Sequence, residues 1–115
     1  MKIGVISDTH GLVRPQVLEV FQGVNVILHA GDIGHADVLT KLETIAPVFA
    51  VRGNNDRSDW AAGLPTTQMV ERDQHVFYIL HEVDDLDLDP AAADFSAVIF
   101  GHSHKPSVEF RKGVL

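Results

Sequence analysis

A chain of 115 residues, 45% hydrophobic and 22% charged, has the make-up of one ordinary globular domain that can close a core. Nine Lys and Arg against sixteen Asp and Glu give a formal charge of −7, which argues against a general nucleic-acid-binding surface. Cysteine is absent, excluding disulfides and thiolate metal sites, so any metal chemistry falls to the seven histidines and to oxygen ligands. No signal peptide or membrane span is legible, so the expected location is cytoplasmic, with no membrane partner.

In chain order, Lys2 to Gly11 (KIGVISDTHG) reads as a short apolar strand, Ile3 to Ile6, that runs into Asp8 and His10. Pro15 suits the first turn of a helix whose apolar face is Val17, Leu18 and Phe21, closed by Gly23. Val24 to Ala30 is the second strand and ends in Gly31-Asp32. Ala36 to Ile45 carries Val38, Leu39, Leu42 and Ile45 at helical spacing, and Pro47 stops it. Val48 to Val51 is the third strand, followed by Arg52-Gly53-Asn54-Asn55-Asp56. This β-α-β-α-β order predicts parallel strands with right-handed crossovers, and sites in such sheets form beyond the strands' carboxyl ends.

The pattern then changes. Gln68 to Glu71 and Val76 to Leu80 predict a hairpin with its turn at Arg72 to His75, and its second strand ends at His81. An acidic segment, Asp84 to Asp89, precedes a short helical turn at Pro90 to Asp94. Ala97 to Phe100 is a further strand, ending in Gly101-His102-Ser103-His104. Ser107 to Arg111 begins another.

The strand ends therefore collect Asp8, His10, Asp32, Asn54, His81, His102 and His104. Carboxylates, imidazoles and one amide suit first-row divalent metals, and the set is too large for one ion. It suits two ions about 3.5–4 Å apart that share a bridging carboxylate. Two such ions with two carboxylates and one hydroxide keep a single positive charge, which attracts a phosphoryl group. Asn54 supplies oxygen without cancelling that charge. Glycines at 31, 53 and 101 let the backbone turn sharply beside the ligands.

SDTHG, HAGDI, RGNND, LH and GHSHKP, in this order, resemble the calcineurin-like metallophosphoesterase superfamily, and most of all its small bacterial and archaeal phosphodiesterases. The resemblance implies an α/β fold, a four-layer αββα sandwich over a single domain, residues 1–115, with the family's C-terminal strands missing. It implies that Asp8, His10 and His104 hold one ion, that Asn54, His81 and His102 hold the other, and that Asp32 bridges. The ions would be Mn first, with Ni, Fe, Zn or Mg as alternatives. It further implies hydrolysis of phosphodiesters, and of monoesters less clearly, by a metal-bridging hydroxide, with Asp32, Asn54 and His81 as the catalytic set. The partner is then a phosphate-ester substrate, and an exposed sheet edge would favour a homo-oligomer.

Two positions depart from the family pattern. Asn55 stands where many relatives have a histidine that protonates the leaving oxygen, so substrates with good leaving groups, or protonation by water, are expected. Glu82 follows His81 where glycine is usual.

The other candidates read as structural. His29 is expected to be packed, His75 solvated in the hairpin turn, His35 a helix cap and Trp60 part of the core. Arg52 and Arg57 are placed either to pair with a substrate phosphate or to form surface salt bridges. The acidic segment lacks the EF-hand spacing. The rival reading is a non-catalytic protein-interaction scaffold on the same fold, as in the retromer subunit. A nucleotide-binding domain is disfavoured because neither glycine-rich phosphate motif is present.

Overall fold

Val26–His29 is buried at every position, the signature of a central strand covered on both faces. In the computed structural model, which describes residues 2–72, 74–82 and 96–101, this strand (β2) lies between β1 (Ile3–Ile6) and β3 (Val48–Ala50) in a parallel sheet. The helices α1 (Pro15–Val20) and α2 (Ala36–Glu43) make the crossovers. Pro15 is at the first turn of α1, and His35 caps α2 by accepting the Asp37 amide on Nδ1 at 3.1 Å. Both roles agree with the sequence reading.

The second sheet has β4 (Thr67–Arg72) antiparallel to β5 (His75–Leu80), and β6 (Ala97–Ile99) parallel to β5. The hairpin turn is tighter than expected. Arg72 pairs directly with His75, so the loop is two residues rather than four. His75 is therefore the first residue of a strand, exposed, with Nδ1 3.3 Å from Ser96 Oγ. In the first half β1 has the predicted bounds, whereas β2, α2 and β3 are one to three residues shorter than predicted. Apolar residues at their ends, such as Val24 and Ile45, pack on the core without extending the hydrogen-bond ladder.

Alternation sorts the side chains into layers. Val26, Leu28, Ala30 and Val51 meet Val70 and Ile79, with Phe49, Phe77 and Ile99 beside them, in the core between the sheets. Ile27 faces the other way, onto Phe21, Val38 and Leu42 of the helical layer, where Trp60 also packs. Helix, sheet and sheet thus account for three of the four expected layers. The predicted helical turn at residues 90–94, the acidic segment 84–89 and the strand at 107–111 lie outside the described residues.

Candidate metal centre

Beyond the carboxyl ends of β1 and β2 the two chains keep pairing as loops. The amides of Asp8, His10 and Gly11 donate to the carbonyls of Gly31, Asp32 and Ile33 at 2.9, 3.0 and 2.7 Å. This register runs through three non-glycine residues in the left-handed region, Asp8 (φ 56), His10 (φ 47) and Asp32 (φ 54). Each costs of order 1 kcal/mol or more and persists only where the surroundings enforce it. The strain falls on three of the residues that the sequence marks as ligands.

The ends of β1, β2 and β5 bring Asp8, Asp32 and His81 together, with one ligand atom of each within 4.8 Å of the others. His81 Nε2 is 3.2 Å from Asp32 Oδ2 and 3.9 Å from Asp8 Oδ1. Asp32 and His81 are 1% and 6% exposed, so this is a buried set. His81 Nδ1 lies 2.8 Å from the Ala30 carbonyl, which can only accept, so Nδ1 carries the proton and Nε2 is the nitrogen that can ligate. Asn54 brings its amide to the same place. One terminal atom is 3.0 Å from His81 Nε2 and 3.3 Å from both Asp32 oxygens, where the amide nitrogen donates; a half-turn presents the oxygen instead. Two carboxylates, one imidazole nitrogen and an amide oxygen facing one point make a donor set that fits a divalent cation.

The supporting interactions were only partly legible. Ser7 Oγ donates to Asp8 Oδ2 at 2.7 Å. Asn55 grips Asp32 twice, with its amide on Oδ1 at 2.9 Å and Nδ2 on Oδ2 at 3.0 Å. Asp56, buried, accepts the amides of Gly53, Ile33 and Gly34, each at 3.0 Å, and so ties the third strand's loop to the second's. The sequence signal for Asp56 was its place three residues after a glycine, where a short carboxylate caps its own turn. Gly53 is required by close approach, since a Cβ there would overlap the Asp32 amide and Oδ1.

His29, fully buried, is neutral and fixed. Nδ1 accepts the Gly31 amide at 3.1 Å, so Nε2 carries the proton and donates to Thr9 Oγ1 at 3.1 Å; that hydroxyl passes to the Ile33 carbonyl at 2.8 Å. Burial pushes its pKa from 6.5 to about 4, against the opposing pull of Asp56, Asp8 and Asp32. It is a packed histidine, as expected. His10 is not one of the three clustered residues; its amide donates to the Asp32 carbonyl and the residue is exposed. His102 and His104 lie outside the described residues.

The family model of the calcineurin-like phosphoesterase superfamily domain matches residues 1–115. The chain belongs to that superfamily. A "probable metallophosphoesterase" of Methanothermobacter thermautotrophicus is 38% identical over 94% of the chain and 69% of its own length. Across three such curated relatives the chain spans 65 to 74% of their length. Among solved structures, a novel archaeal phosphodiesterase superposes with a TM-score of 0.83 at 27% identity, covering 99% of this chain and 80% of that one. Vps29 of Entamoeba histolytica, solved with zinc, superposes at 0.78 and 23% identity over 98% of this chain and 70% of that one. That likeness is one of fold. The mixed α/β architecture of two sheets with a helical flank is the superfamily's own.

Proposed function

We propose that this chain is a metal-dependent phosphoesterase whose centre takes two divalent ions, Mn foremost, and which hydrolyses phosphodiesters in preference to monoesters. The observation that carries the reading is the convergence of Asp8, Asp32 and His81 from three strand ends, within 4.8 Å, with the Asn54 amide against them. Asp8, His10 and His104 would hold one ion, and Asn54, His81 and His102 the other, with Asp32 shared. The bound ions supply an activated water and positive charge at the phosphoryl group.

The chain's own residues do the positioning. Asn55 holds both oxygens of Asp32, and the Ala30 carbonyl fixes the His81 tautomer. Asn54 is neutral and leaves the positive charge undiminished. Asn55 has no acidic proton, so the leaving oxygen departs without a side-chain acid at that position, which favours aryl and other weakly basic leaving groups.

The test is hydrolysis of a bis-aryl phosphodiester by chelator-stripped protein, with and without Mn²⁺, beside Asp32→Asn. Turnover restored by metal and lost in the variant is the expected result. Neither turnover nor bound metal would sink the enzyme reading and leave a scaffold, the reading that the fold likeness to Vps29 keeps in view.

A further inference from the structure

A groove of about 720 Å³ opens beside the metal centre, with Asn54 and His81 in its wall. Organic ligands occupy clefts of roughly 300–1,000 Å³, so this one is sized for a substrate with a substantial arm rather than for a bare phosphoryl group. Its lining mixes charged and polar side chains with Tyr78 and Leu80. Arg52 and Arg57 stand on one side, from the loop after β3, and Thr66 and Thr67 come from the start of β4. Among the described residues neither guanidinium forms an ion pair with a carboxylate. Arg57 is anchored by Nε, which donates to the Asn54 carbonyl at 3.0 Å. That bond fixes the stem to the loop that carries a ligand.

The opposing charges in the wall are Asp56 and Glu82. The two oxygens of Asp56 are occupied by three backbone amides. The two arginines are balanced in number by Asp56 and Glu82, yet among the described residues neither forms an ion pair with a carboxylate, so their guanidinium groups are not committed to an acid. Guanidinium groups present planar paired donors that match phosphate and carboxylate.

We infer that this groove binds the non-scissile arm of a phosphodiester whose arm carries a second anionic group of phosphate size, held by Arg52 and Arg57. The inference rests on the phosphoesterase reading for the reaction but not for the binding. The arginines serve as specificity determinants: they do not touch the reacting phosphorus, and they select among esters.

Two measurements test it. The first compares kcat/KM for the p-nitrophenyl ester of thymidine 5′-phosphate with and without a 3′-phosphate, in wild type, Arg57→Met and Arg52→Met. Removing one charge-assisted hydrogen bond weakens binding roughly tenfold. The bisphosphate ester is therefore expected to be preferred roughly tenfold or more through KM, with the preference abolished in each variant. Equal kcat/KM for the two esters, or a preference that survives Arg57→Met, would overturn the inference. The second measurement is calorimetric binding of thymidine 3′,5′-bisphosphate to metal-stripped protein. Arg57 is exposed, so its variant is expected to fold. Binding that disappears in Arg57→Met, in a protein without turnover, keeps the groove assignment and sinks the phosphoesterase reading. Absence of both binding and preference sinks the groove.

Discussion

Asn55 shows how much one residue contributes when it sits beside a buried carboxylate. Its two bonds to Asp32 hold the carboxylate in a single orientation, while the residue itself is exposed. Asn55→Ala should therefore weaken Mn²⁺ binding by roughly 10- to 100-fold in a calorimetric titration and leave the melting temperature in chelator nearly unmoved. An unchanged metal affinity would show that the backbone amide alone orients Asp32. Asp56 is the opposite case. Its carboxylate satisfies three backbone amides, and Asp56→Ala strands all three, at a cost of about 3 kcal/mol in urea denaturation. His29 adds a pH dependence with a definite sign. Its folded pKa of about 4 lies below the ordinary 6.5, so the unfolded chain takes up a proton that the folded chain refuses. The associated stability, about 3 kcal/mol, is complete above pH 6.5 and lost as the pH falls toward 4. In chelator, the melting temperature of His29→Gln should fall less steeply across that window than that of wild type. Parallel slopes would show that other groups set the acid limit.

At the scale of elements, the strand ends and their loops are where geometry is least negotiable. Gly53→Ala would drive a methyl into the Asp32 amide and carboxylate, so the loop after β3 or the loop after β2 must move. The expected outcome is loss of metal binding together with at least about 2 kcal/mol of stability, read by calorimetry and denaturation on the same sample. The elements themselves were largely legible, because alternating and helical spacing record burial: β2, the cap at His35 and the hairpin all lie close to where the pattern puts them. The element ends were less so. Val24 and Ile45 are apolar and sit at the right spacing, yet they pack outside the strand and the helix they were expected to extend, and spacing alone reports packing rather than hydrogen bonding. The convergence of Asp8, Asp32 and His81 was legible as residue types at strand ends. Ser7, the grip of Asn55 on Asp32, and Asp56 were not, because each acts through a backbone conformation or a neighbour that residue identity does not encode.

For the whole molecule, the two sheets matter as a clamp. Asp8 and Asp32 extend the first sheet and His81 ends a strand of the second, so the centre exists only when the core between the sheets is closed. Divalent ions should accordingly stabilise the fold, by about 4 kcal/mol at a thousandfold excess over Kd, and chelation should lower the melting temperature by several degrees. A melting temperature indifferent to Mn²⁺ and chelator would separate the centre from the fold. No helix among the described residues is long and apolar enough to cross a membrane. The bond from His81 Nδ1 to the Ala30 carbonyl joins the loop after β2 to the end of β5, and so ties the first sheet to the second. With the imidazole already locked, capture of a cation requires no folding step. Stopped-flow uptake of Mn²⁺ should then be a single phase whose rate rises linearly with ion concentration, limited by the shedding of water from the ion rather than by any rearrangement of the chain.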